Sequence, residues 1–160
     1  MVRTNWPFGK ADINVLVLGV AHRGLALPLF WTVLDKAGNS DTVERSALME
    51  RFLAVFSADQ VAVLLADRAF IGGDGFGWRQ RQGLPFHQRL TRNTRVPHAW
   101  NRMMRLDQRF GSLQPGECRG LPGRRPVWGC FVHRSALRLE DGDFLCIASS
   151  GAPQAGAIEA

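Results

Sequence analysis

The chain has 160 residues, of which 46% are hydrophobic and 21% are charged, a composition ordinary for a globular domain with its own core. No apolar run is long enough to span a membrane, and the first residues lack the pattern of an export signal. The three cysteines are widely spaced and odd in number, which predicts neither a disulfide framework nor a zinc site. These features predict a cytoplasmic protein without membrane contact.

The net charge of +6 is unevenly distributed. Eight arginines and only one acid lie between Arg79 and Gly116. The planar guanidinium fork matches phosphate well, so this segment predicts a polyanionic partner such as DNA. The alternative is a solvated basic face without a partner. High-GC coding also favours arginine and would account for the number of arginines without a binding role.

Two apolar runs rich in β-branched residues open the chain, at 13–20 and 25–34, and they predict a β-hairpin. Pro28 indicates that the second strand is an edge strand or carries a bulge. A helix is predicted to begin at Asp41, because Glu44 completes a capping box three residues later. Apolar residues at three- and four-residue intervals predict one buried face of this helix. They are Val43, Ala47, Leu48, Phe52, Val55 and Phe56.

Residues 61–66 have no polar alternation and predict a short strand that is buried on both faces. The glycines from Gly72 to Gly77 predict a flexible turn, followed by a short helix near 78–82. Residues 84–90 predict a further strand. The order of hairpin, helix, strand, helix and strand is typical of an α/β domain.

Short alternating stretches and turn residues after Pro97 predict β structure. The candidate strands are 127–133 and 144–149, with a turn at 140–142. Residues 151–160 are small and predict a frayed tail.

Asp67 is the strongest candidate for a functional residue. It follows the predicted buried strand, and open α/β sheets place their ligand sites at the carboxyl ends of strands. A carboxylate at this point is a suitable ligand for Mg²⁺ or Mn²⁺. The alternative is a structural aspartate that pairs with Arg68 or caps the following turn.

Three stretches carry a resemblance to a known family: 2–9 (VRTNWPFG), 14–35 and 64–72 (LLADRAFIG). They closely resemble insertion-sequence transposases of the DDE type, and in particular the branch with a Tyr-Arg-Glu-Lys signature. The resemblance runs over almost the whole chain, and its most specific parts are RTNW, GNSDT and ADR-FIG.

The resemblance implies a fold and a division of the chain. Residues 1–96 would form a partial ribonuclease-H-like core, a mixed sheet with helices. Residues 97–150 would form the β-rich insertion that the family carries, and 151–160 a flexible tail. The sequence would then be an internal piece of a transposase catalytic core.

The resemblance also implies a chemistry. The family uses three carboxylates to hold two divalent metal ions, Mg²⁺ or Mn²⁺, for DNA cleavage and strand transfer. Val2 stands where the first acid belongs, and Asp67 matches the second, although Ala69 replaces a glutamate that usually follows. The third acid belongs to a helix that would begin after Ala160. One acid of three remains, so we expect this chain alone to be inactive, and its status as an enzyme stays open.

The expected DNA contacts are arginines. They are Arg68, Arg89, Arg92, Arg95, Arg102 and Arg105, with Arg109 close by. The alternative function is a non-catalytic module that uses the segment 79–109 to bind DNA, or that pairs with an intact transposase or with itself. An incomplete sheet with an exposed apolar edge favours such pairing.

Overall fold

The computed structural model describes residues 1–8, 11–34, 36, 40–67, 72–98 and 102–152. Within them the helices are α1 (Thr42–Leu53), α2 (Gly73–Arg81) and α3 (Leu106–Arg109), and a 3-10 turn lies at Ala58–Gln60. The strands are β1 (Val2–Phe8), β2 (Ala11–His22), β3 (Leu25–Leu34), β4 (Leu64–Ala66), β5 (Phe86–Leu90), β6 (Arg95–Pro97), β7 (Met103–Arg105), β8 (Cys118–Val127), β9 (Cys130–Arg138) and β10 (Phe144–Ser149). No helix in these ranges is long and apolar enough to cross a membrane.

The first sheet is an antiparallel meander in the order β1-β2-β3. It confirms the predicted hairpin, whose turn is formed by Arg23 and Gly24 at positive φ. Both structures predicted from Pro28, an edge strand and a bulge, are confirmed. Strand β3 is an edge strand, and the register of the β2–β3 pair shifts between Leu18 and Gly19, next to the Gly19–Pro28 pair.

The second sheet is a mixed five-stranded sheet in the order β4-β5-β10-β9-β8. The β4–β5 pair is parallel and the other pairs are antiparallel. The mixed α/β class is therefore confirmed. Because β5 pairs with β10, strands from both sides of the expected division at residue 96 belong to one sheet.

Helix α1 begins as predicted. The Asp41 side chain accepts from the Glu44 amide at 2.9 Å, and the Glu44 side chain accepts from the Asp41 amide at 2.8 Å. The predicted buried face is confirmed at Leu48 and wrong at three positions, because Val43 is 77% exposed, Val55 is 67% exposed and Ala47 is also exposed. Met49, which was not predicted, is buried beside Leu48, since the helix packs against β3 and α2 on that side and ends before Val55.

The predicted glycine turn is wrong from Gly73 onward, because this stretch forms the first part of α2. A side chain at Gly73 would place its Cβ 2.8 Å from the carbonyl oxygen of Trp128, so the close approach of the β8–β9 turn requires glycine. Phe76 and Arg79 are buried on the same helix. Burial therefore outweighs the low helix propensity of glycine here.

The β structure predicted after Pro97 is confirmed with one change of boundary, and a second change concerns the earlier strand predicted at 61–66. The candidate strand 127–133 contains a turn at Trp128 and Gly129, which separates β8 from β9. The strand predicted at 61–66 is shorter than expected and covers Leu64–Ala66. The strand Phe144–Ser149 and the turn at 140–142 are as predicted. Most of the predicted tail, 153–160, lies outside the described residues.

Candidate functional site

Asp67 lies directly after the carboxyl end of β4, as predicted. Its side chain is 52% exposed, and its Oδ1 lies 3.9 Å from Nη1 of Arg89. Gln88 Nε2 donates to the Asp67 carbonyl at 2.6 Å and to the Ala66 carbonyl at 3.3 Å. The backbone of Asp67 is thus held by β5, while its carboxylate remains open to solvent beside one guanidinium.

Val2 lies close to the same end of β4. The amino group of Met1 donates to the Leu65 carbonyl at 2.8 Å, and this contact brings the start of β1 next to β4. Val2 and Asp67 each lie within two residues of that hydrogen bond. This hydrogen bond is a contact between the residue before Val2, where the resemblance assigns the first acid, and the strand that ends before Asp67, where it assigns the second.

The described residues at this place do not fit a pair of divalent metal ions. Among them no group of three or more His, Cys, Asp or Glu side chains is arranged to hold a metal. Asp67 offers one carboxylate with Arg89 beside it, and Val2 offers no oxygen ligand. Arg68 and Ala69 lie outside the described residues.

Some of the arginines predicted to bind DNA lie beside acidic side chains. Three of them have acidic partners: Arg89 pairs with Asp67, Arg92 with Asp143 at 3.0 Å, and Arg105 Nε with Asp107 at 3.1 Å. Phosphate would have to compete with these carboxylates.

Of the other three predicted arginines, Arg68 lies outside the described residues, and Arg95 and Arg102 belong to a small hairpin. Arg95 is exposed on β6 directly opposite Arg105 on β7, and Arg102 is exposed just before β7. The Arg102 carbonyl accepts from the His98 amide at 2.8 Å, which closes the hairpin near its end.

A groove beside this hairpin is lined by several basic side chains. It encloses about 520 Å³ between the hairpin, α3 and the strands β8 and β9. Among the residues that the structure describes, its lining contains three arginines and a histidine, and no acid. The lining residues are Pro97, His98, Arg109, Leu121, Pro122, Arg125, Pro126 and Arg134.

The three guanidiniums of the groove lie close enough to influence one another. Desolvation lowers the pKa of Arg134, and the positive charges of Arg125 and Arg109 lower it further. Arg134 is buried on β9, and its Nε has no hydrogen-bond partner among the described residues. An anion in the groove would relieve this repulsion, because it would supply the missing negative charge.

Sequence reasoning missed two of these arginines. Arg125 and Arg134 are 16 and 25 residues beyond Arg109 in the chain, outside the segment that was singled out. They come near Arg109 only in the folded chain, where β8 packs beside β6. The sequence signal that points to them is the Arg124–Arg125 pair in a strand that otherwise carries no charge after Arg119.

Comparison with known proteins gives no relative for this chain: no protein-family model matches it, and no curated protein or solved structure matches it.

Proposed function

We propose that this chain is a DNA-binding domain that derives from the catalytic core of a DDE-type transposase and that does not cleave DNA. The observation that carries the proposal is the acid-free groove containing Arg109, Arg125 and Arg134. A continuous positive groove is the arrangement that follows a phosphate backbone without reading sequence.

The transposase ancestry is supported by the order of elements around Asp67. An antiparallel meander, a helix and a strand with an aspartate at its carboxyl end follow one another, as expected of a ribonuclease-H-like core. The Met1–Leu65 hydrogen bond puts Val2 near this aspartate. The RTNW, GNSDT and ADR-FIG stretches resemble the family at corresponding points.

The absence of cleavage follows from the side chains at these points. In-line phosphoryl transfer with two metal ions needs several carboxylates that converge on them. Valine at position 2 removes one ligand, and the Arg89 guanidinium competes with a cation for the carboxylate of Asp67. DNA binding through the groove does not depend on that carboxylate.

Salt-dependent binding of a short DNA duplex, followed by fluorescence anisotropy, tests the proposal. Each phosphate neutralised by the groove steepens the log–log salt dependence by about 0.9. We expect Arg109→Ala and Arg125→Ala to weaken binding and each to reduce that slope by about 1. Arg23→Ala is the matched control, because it removes the same charge from the exposed β2–β3 turn of the other sheet.

Two results would overturn the DNA-binding proposal. The first is affinity that does not change between about 50 mM and about 200 mM salt, since electrostatic binding weakens steeply over that range. The second is an equal loss of affinity in Arg23→Ala and Arg125→Ala, which would mean that only net charge matters.

A second candidate function, self-association, is favoured by a different observation. Five apolar side chains of β3 are exposed, and β3 is an edge strand of its sheet. They are Leu25, Leu27, Leu29, Trp31 and Val33. An apolar edge strand is complementary to itself in antiparallel pairing across a two-fold axis, so the partner we propose is a second copy of this chain.

A further inference from the structure

A small cavity lies between α1, α2 and β4. Its apolar wall includes Met49, Leu64 and Trp78, and its polar wall consists of hydrogen-bond donors. The polar side chains are Thr42, Arg45, Ser46 and Arg79. No carboxylate of the described part of the chain lines the cavity, so its contents face a positive environment.

Arg79 is the unusual member of this lining, because it is only 6% exposed. Its guanidinium lies over the rings of Phe76 and Phe86, at 5.2 and 5.0 Å from their centroids. Nη1 donates to Gln88 Oε1 at 3.0 Å. Nε and Nη2 are buried and have no hydrogen-bond partner within the described residues. Unpaired buried donors of a charged group are costly, and most native structures avoid them.

The unpaired Nη2 lies close to Gly75, a residue that lines the cavity. A Cβ added at Gly75, which lines the cavity, would lie 3.6 Å from this nitrogen. Thr42 and Ser46 are one helical turn apart and line the opposite wall from α1. Two hydroxyl donors and a guanidinium therefore face a common space.

We propose that this cavity binds a small oxyanion of the size of inorganic phosphate. The anion accepts hydrogen bonds from Arg79 and from the hydroxyls of Thr42 and Ser46, and Arg45 adds positive charge at the rim. The cavity encloses about 30 Å³, which suits a single small ion and excludes a nucleotide. Burial lowers the pKa of Arg79 to about 10, so the guanidinium still carries its charge at neutral pH.

Titration of the whole chain with inorganic phosphate at constant ionic strength tests this site, with chloride as the balancing anion. The readouts are the midpoint of thermal unfolding and the NMR resonance of the Arg79 Nε–H group. We expect a saturable rise of the midpoint and a shift of that resonance. Ser46→Ala removes one donor, and Gly75→Ala covers Nη2 with a methyl group. Each should weaken the apparent affinity about tenfold, since a hydrogen bond to a charged group is lost or blocked.

Phosphate could also bind in the basic groove that contains Arg109, Arg125 and Arg134. The Arg125→Ala variant distinguishes binding in the groove from binding in the cavity. This variant should keep the phosphate response of the wild type while losing affinity for DNA. The proposal is overturned if phosphate gives no saturable rise, or if Ser46→Ala and Gly75→Ala respond like the wild type. It is also overturned if Arg125→Ala alone abolishes the response, because the anion would then occupy the groove.

Discussion

Arg79 and Gln88 form a hydrogen bond of 3.0 Å in the interior, between the last turn of α2 and the middle of β5. Gln88 is fully buried, and its amide nitrogen donates to the carbonyls of Ala66 and Asp67. A single side chain thus connects a buried cation to the backbone at the end of β4. The position of Asp67 depends on this polar pair as well as on the short β4–β5 ladder.

A double-mutant cycle tests the pair. Gln88→Leu should lower the free energy of unfolding by about 1–3 kcal/mol, because Arg79 is left buried without its acceptor. Adding Arg79→Met should restore part of that loss, since replacing both polar partners by apolar groups of similar shape is nearly neutral. Urea unfolding followed by circular dichroism measures both effects. A double variant that is no more stable than Gln88→Leu alone would show that the two side chains do not depend on each other.

The proximity of Val2 and Asp67 leads to a prediction about metal binding. We expect Mn²⁺ to give the wild-type chain no saturable thermal stabilisation, because one carboxylate beside Arg89 is a poor cation site. Val2→Asp should create a response, since it adds a second carboxylate near the carboxyl end of β4. Thermal unfolding at increasing Mn²⁺ concentration measures this gain.

The control for this experiment is the double variant Val2→Asp with Asp67→Ala, in which the response should disappear. If the response persists, the new carboxylate binds Mn²⁺ without Asp67, and the two positions are not parts of one site. Saturable thermal stabilisation of the wild-type chain by Mn²⁺ would contradict our expectation that the site at Asp67 no longer binds metal.

Self-association through β3 is tested at an exposed position of that strand. Val33→Lys places a charge in the apolar stripe and should shift the chain toward monomer, because a buried unpaired ammonium opposes association. Sedimentation velocity over a range of protein concentrations measures the shift. Val43→Lys is the matched control, since Val43 is equally apolar and exposed but lies on α1. If both variants associate like the wild type, β3 is not the contact surface.

Local signals explain which parts of the fold sequence reasoning recovered. The start of α1 was predictable because Asp41 and Glu44 cap each other within one turn. The β2–β3 hairpin was predictable because both runs are apolar and the turn contains Gly24. The start of α2 was not, because glycine at position 73 is selected by the approach of Trp128, which is distant in sequence.

The candidate site also has one part that was predictable from the sequence and one part that was not. Asp67 was predictable, because the end of a buried apolar run marks the end of a strand. The groove was not, because Arg125 and Arg134 meet Arg109 only after β8 and β9 pair and pack. Counting arginines along one segment instead favoured Arg92 and Arg105, whose charges are matched by Asp143 and Asp107 in the folded chain.

The last prediction concerns pH and rests on His87, whose Nδ1 lies 2.7 Å from Ser149 Oγ between β5 and β10. Burial lowers the pKa of His87 below its ordinary value near 6.5. The unfolded chain therefore takes up a proton at a higher pH than the folded chain. Neutral His87 therefore contributes to the free energy of unfolding. This contribution is complete above pH 6.5 and is lost as the pH falls through the lower pKa that His87 has in the folded chain. His87→Gln should remove this part of the pH dependence.

The measurement is the free energy of unfolding by urea, for both chains, at several values between pH 8 and pH 5. The Met1 amino group also titrates in this range, because burial and Arg79 lower its pKa to about 6, but its effect is common to both chains and cancels in the difference. The pKa values of Asp41 and Glu117 are lowered by their hydrogen bonds. The stability that these two carboxylates contribute is therefore lost only at more acidic pH. A difference between the chains that stays constant below pH 6.5 would mean that His87 is not protonated preferentially in the unfolded state.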